Sequence, residues 1–98
     1  MANSKLDIKK LQSTAIKLRA IAHPIRIAII SLLESNAKLN VTDIYQKLGI
    51  EQAATSHHLN ILKNKGLLLS KKEGKQTFYS LKYDSLIKII ECIEKCSE

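Results

Sequence analysis

The stretch EQAATSHHLNILKNKGLL, residues 51–68, sets His57 beside His58. Two imidazoles can bind a metal ion, relay a proton or simply pack, and the choice depends on where each ring points. In a helix each residue advances about 100°. With His57 as the origin, Ala54, Thr55, Leu59, Ile61 and Leu62 fall on one apolar arc, and His58 lies in its middle. Gln52, Ala53, Ser56, Asn60, Lys63 and Asn64 fall on the opposite, polar arc, with His57 at its edge. Neighbouring helical residues do not face each other, so the pair cannot share a metal. His58 is therefore expected to face the core, bonded to a backbone or side-chain acceptor. His57 is expected to face water or a polar partner outside the protein.

The polar arc is unusual for a face meant only for water, which would more often carry Glu and Lys. Gln52, Ser56, His57 and Asn60 both donate and accept hydrogen bonds. Gln and Asn can pair bidentately with adenine, and Ser reads either kind of base edge. Lys63 and Lys65 follow at the end of the helix, and Lys71, Lys72 and Lys75 flank a turn just beyond it. Such lysines contact phosphates and set affinity and register, while the polar arc sets sequence choice.

The other reactive groups are Cys92 and Cys96, which share a helical face. Cβ atoms at i and i+4 stand about 5–6 Å apart, too far for an unstrained disulfide, which needs about 3.8 Å. Buried apolar filler is the expected role. The alternative is a thiol or soft-metal sensor in which two chains bring four sulfurs together. No nucleophile–base pair, paired carboxylates, glycine-rich phosphate loop or metal triad is present, and no cofactor is expected, so the chain does not read as an enzyme. A protein-interaction module that has lost nucleic acid is the other class of reading; the basic, polar surface argues against it.

These residues must be positioned by one small domain spanning residues 1–98, large enough for a modest core. Sixteen Lys and Arg against nine Asp and Glu give a net charge of +7, which favours a polyanionic partner. Residues 1–50 carry 8 basic and 3 acidic groups (+5), residues 51–82 carry 6 and 2 (+4), and residues 83–98 carry 2 and 4 (−2). An anionic partner should thus avoid the C-terminal segment. MANSKLDIKK shows no secretory signal, and no apolar run is long enough to span a membrane. A cytoplasmic protein with no membrane partner is expected.

Five helices and a hairpin can be read. Ser4 is placed to cap a first helix carrying Leu11, Ala15, Leu18 and Ala22, which should end by residue 22 or 23 because Pro24 follows. Pro24 then opens IRIAIISLLES, apolar over most of its surface and so central to the core. Asn40 or Thr42 caps TDIYQKL, Gly49 closes it, and helix four runs from Glu51 or Gln52 to about Asn64 before Gly66. A short helix, a glycine turn and a second helix outline a helix-turn-helix. LLLSKK (67–72) and QTFYSLK (76–82) form a hairpin across EGK. Asp84 or Ser85 caps a last helix, LIKIIECIEKC, whose apolar residues span roughly 220°, where one packed face needs only about 100°. It must bury one side in its own core and another against a second chain. Leu11, Leu18, Leu86, Ile89, Ile90 and Ile93 are the expected dimer contacts. A two-fold pair would set two copies of helix four about 34 Å apart, one turn of DNA.

From Leu18 to about Leu81, LRAIAHPIRIAIISLL, VTDIYQKLGIEQAATSHHLNILKNKGLL and KKEGKQTFYSL resemble the ArsR-type family of winged helix-turn-helix repressors. The resemblance implies a mainly α fold with a small β-hairpin and a homodimer on double-stranded DNA. It places helix four in the major groove and uses the hairpin as a wing. It further implies that Gln52, Ala53, Ser56 and His57 face the bases; Asn60, on the same polar arc, joins the expected base-reading set, and Thr42 the expected backbone contacts. Ala53 stands where a serine is usual, which substitutes a thymine methyl contact for a hydrogen bond. His23 stands where an acid is common, which bears on the helix cap more than on DNA. The family's cysteine pair near helix three is missing, since this stretch reads LNVTDI, and no histidine follows His58. No metal is expected at either familiar site, and the effector stays open.

Overall fold

A computed structural model describes residues 6–96, in the order α1 (Ile8–Ile21), α2 (Pro24–Ser35), β1 (Leu39–Asn40), α3 (Val41–Leu48), α4 (Gln52–Asn64), β2 (Leu68–Glu73), β3 (Gln76–Leu81) and α5 (Leu86–Cys96). The mainly helical winged helix-turn-helix expected from sequence is present. Asp7, not Ser4, caps α1, accepting from the Lys9 and Lys10 N–H groups; Ser4 lies outside the described residues. α1 stops at Ile21 ahead of Pro24, which takes the first turn of α2. There its missing N–H costs nothing.

α2 is the centre of the core. Its Ile29, Ile30 and Leu33 are buried, and Ile44 of α3 and Leu59 and Leu62 of α4 close on it with no exposed surface. Ala20 and Ile21 are the buried residues of α1, and Leu86 and Ile90 those of α5. Leu11 and Leu18 of the expected α1 stripe remain exposed, at 45% and 48%.

The sheet has one strand more than sequence suggested. β1, only Leu39 and Asn40, pairs antiparallel with β3, giving the order β1-β3-β2. Two residues are too few to show an alternation. The hairpin is also tighter than expected: Glu73 pairs with Gln76, so Gly74 and Lys75 alone make the turn. Gly74 adopts φ +65°, the left-handed backbone that such a turn needs. Neither Asp84 nor Ser85 caps α5 through its side chain. Backbone bonds from Leu86 N–H to the Tyr83 carbonyl (3.2 Å) and from Lys88 N–H to the Ser85 carbonyl (3.1 Å) start that helix instead.

Candidate nucleic-acid interface

α3 and α4 are joined through Gly49, whose φ of +68° ends α3 while its N–H bonds the Tyr45 carbonyl. Asn40 caps α3 by accepting from Asp43 N–H at 2.8 Å. α4 is held from its inner side by Thr55, Leu59 and Leu62, all fully buried. The Thr55 hydroxyl donates to the Glu51 carbonyl at 2.9 Å, so this buried hydroxyl is not stranded in the core. With that stripe fixed, Gln52, Ala53, His57, Asn60, Lys63 and Asn64 are exposed and Ser56 is half-buried. Glu51 makes no side-chain cap, leaving the first-turn N–H groups to partners outside the helix.

The two histidines divide as the spacing predicts, but the hydrogen bond of His58 runs the other way. His57 is exposed and His58 half-buried. His58 does not donate to an acceptor; its Nδ1 accepts from Arg26 Nε at 3.1 Å. Arg26 also donates from Nη1 to the Ala20 carbonyl, at 3.1 Å. Arg26 therefore spans α1, α2 and α4, a link across 32 positions that no local pattern reveals. The His23 ring lies 4.5 Å from that of His58, and its Nδ1 caps α2 by accepting from Ile25 N–H. Desolvation by burial, then the charges of His23, Arg26 and His57, hold His58 below the ordinary imidazole value.

The hairpin adds a second basic edge. Lys71, Lys72 and Lys75 are exposed along it, as are Lys63 and Lys65 at the end of α4. Thr42 and Lys75 line one cleft, with Asn40, Val41, Gln76 and Thr77. Asn40 ties the two walls, donating from Nδ2 to Gln76 Oε1 at 2.9 Å. Glu73, the acid among these lysines, is engaged by Lys38 at 2.7 Å. The hydrogen bond from Lys38 holds its carboxyl below the usual range. Lys65 also lines a shallow cleft with Arg19 and Arg26; the two arginines escaped the sequence reading because neither lies in the helix-turn-helix.

The terminal helices correct two expectations. Leu86 and Ile90 are buried in the chain's own core and not displayed as an outer stripe, although Ile90 still forms part of the floor of a groove. Ile89 and Ile93 are exposed, at 42% and 62%, and with Leu18, Ile21, Ala22 and Ile27 they line an apolar groove between α1, α2 and α5. Cys92 and Cys96 are not buried filler: both are exposed free thiols. They lie on the outer side of a helix whose inward positions, Leu86 and Ile90, are four apart. Among the described residues no three His, Cys, Asp or Glu side chains converge as a metal site, and no helix is long and apolar enough to cross a membrane.

Residues 23–70 match the family model for bacterial regulatory proteins of the arsR family. The chain is 39% identical over 83 residues to the HTH-type transcriptional regulator NmtR of Mycobacterium tuberculosis, covering 85% of this chain and 68% of that one. The crystal structure of the transcriptional repressor PagR of Bacillus anthracis superposes with a TM-score of 0.78 at 31% identity, covering 89% of this chain and 99% of PagR. A homodimeric winged helix-turn-helix DNA-binding domain from Mycobacterium bovis, 24% identical, shares the fold with a TM-score of 0.80, covering 99% and 90% of the two chains.

His58 binds a proton less readily in the folded chain than in the unfolded one, so acidification favours unfolding. The stability this residue contributes is present above the ordinary value of 6.5 and is lost as pH falls through the folded-state value. Thermal melts at about pH 7.5 and 5.5 should show wild type losing more stability than His58→Asn, which accepts from Arg26 at either pH. Equal losses would remove His58 from the acid response.

Proposed function

The chain belongs to the arsR family of bacterial regulatory proteins, DNA-binding transcriptional regulators and not enzymes, and from that premise we propose that it is a repressor that binds a palindromic operator as a homodimer. Residues 1–98 act as one winged helix domain. Gln52, Ala53, Ser56, His57 and Asn60 read base edges in the major groove; Thr42, Lys63, Lys65, Lys71, Lys72 and Lys75 hold the backbone. The observation that carries this is the outward row of Gln52, His57 and Asn60, exposed beside a lysine-lined hairpin. The half-buried Ser56 sits within that row.

Dimerisation uses α1 and α5. The apolar groove along Leu18, Ile89 and Ile93, continued by exposed Leu11, is the kind of surface that a soluble monomer rarely leaves in water. Regulation does not use the metal sites implied by the family resemblance, because their ligands are missing from LNVTDI and from the segment after His58. A second reading is favoured by the exposure of Cys92 and Cys96: a thiol- or soft-metal-responsive repressor that senses through α5.

Selection of bound duplexes from a random pool tests the main reading, with a two-fold-symmetric consensus as the expected product. On the selected duplex, Gln52→Ala should cost about 1–3 kcal/mol and relax one position of the consensus. Lys75→Ala should weaken all duplexes alike and lower the salt slope by about one unit. Indifference of Gln52→Ala to sequence would refute base reading by α4. Ile93→Glu should convert the dimer to a folded protomer by sedimentation velocity and abolish binding to the symmetric site; a dimer that survives it lies elsewhere on the chain. Diamide should release the duplex from wild type but not from Cys92→Ser/Cys96→Ser. Release from both would exclude the thiols as sensors.

A further inference from the structure

The Arg26–His58 contact is absorbed neither by the fold's apolar core nor by the base-reading row. Arg26 donates to two acceptors on two different helices, the Ala20 carbonyl in the last turn of α1 and Nδ1 of His58 in α4. His58 is flanked in sequence by exposed His57 and buried Leu59, so a shift of its ring is felt on both faces of α4. Because Arg26 can only donate, His58 must keep Nδ1 unprotonated for the bond to exist. A proton there would set two donors and two positive charges against each other at 3.1 Å.

We propose that Arg26 and His58 are positioning residues for the recognition helix: the guanidinium ties α4 to the end of α1, and a proton on His58 releases that tie. The inference rests on the DNA-binding reading above and adds a means of regulating it. Base readout tolerates errors of only about 0.5 Å and 10–20° in the reading groups, so loss of the bond at the middle of α4 is enough to weaken the specific complex.

The surroundings make the device one-directional. The charged groups acting on His58 are His23 from the α1–α2 junction, Arg26 from α2 and His57 from α4 itself. Each is positive or becomes so when protonated, and Arg19 of α1 and Lys65 beyond α4 line the cleft beside Arg26. Acid therefore adds a further cation to a basic cluster and does not create a compensating ion pair. His23 packs against the His58 ring at 4.5 Å, and its Nδ1 serves as the α2 cap.

Simple electrostatics gives the opposite sign: protonating histidines makes the protein more positive and should tighten binding to a polyanion. The two effects are thus separable. In the free full-length protein, NMR would follow each imidazole and the amide exchange of α4 from about pH 8 to about pH 5. Protection in α4 should fall with the titration of His58 and should not fall in His58→Asn, which keeps an acceptor but takes no proton. His58→Gln gives the same comparison with a longer amide. Over the same range, the affinity of wild type for the selected duplex should drop about tenfold, the scale of one charge-assisted hydrogen bond, while the variants stay flat or tighten. Overturning results are a wild-type affinity that rises toward acid, or an α4 exchange profile that His58→Asn leaves unchanged. Failure to bind any duplex at any pH would sink the DNA-binding reading instead, and the exchange arm would still decide the tie.

Discussion

The structure depends on how α4 is gripped. Thr55, Leu59 and Leu62 are sealed from solvent, and a helix has no freedom to turn about its axis once three side chains on one stripe are socketed. The outward aim of Gln52, His57 and Asn60 is then a consequence of geometry. Each buried aliphatic side chain of that stripe contributes about 1.5–3 kcal/mol, whereas the exposed polar row contributes nothing comparable to folding. Its residue types are therefore free to be chosen by what they touch outside the chain. Thr55 shows how closely the stripe is fitted: a hydroxyl is admitted to the core only because the helix's own Glu51 carbonyl satisfies it.

The hairpin is coupled to this arrangement by small polar contacts. Asn40 uses one side-chain atom to cap α3 and the other to hold Gln76, and β1 pairs Leu39 and Asn40 with Tyr79 and Phe78. The same residue thus fixes the start of the helix-turn-helix and the position of the hairpin. Lys38 reinforces the joint by bonding Glu73 and lying over the Phe78 ring at 4.8 Å. The ion pair is exposed, where such pairs contribute little. The shared amide and the sheet do most of the positioning.

Much of this was legible in the sequence. The apolar density of IRIAIISLLES marks the central helix, Pro24, Gly49 and Gly66 punctuate the helices, and the wheel drawn on His57 separates the displayed row from the buried one. What escaped was non-local or too short to have a period. β1 is two residues long and exists only because β3 supplies a partner. The Arg26–His58 bond joins segments whose patterns say nothing of each other. α5 misled in detail: its broad apolar arc was wider than the one side the chain's own core buries, and spacing alone could not assign Leu86 and Ile90 to the inner side or leave Cys92 and Cys96 in water. The cap of α1 was misplaced because Ser4 and Asp7 are both good capping residues, and helical register decides between them.

The bare face of Leu11, Leu18, Ile89 and Ile93 has a thermodynamic meaning beyond shape. If the proposed second copy covers it, a protomer that keeps these side chains in water holds part of its folding free energy in reserve until that copy arrives. On the proposed two-fold interface, stability is then governed by mass action and grows with the logarithm of abundance. How many copies a cell makes would set not only how often DNA is occupied but how durable each molecule is, so that scarce protein is also short-lived protein.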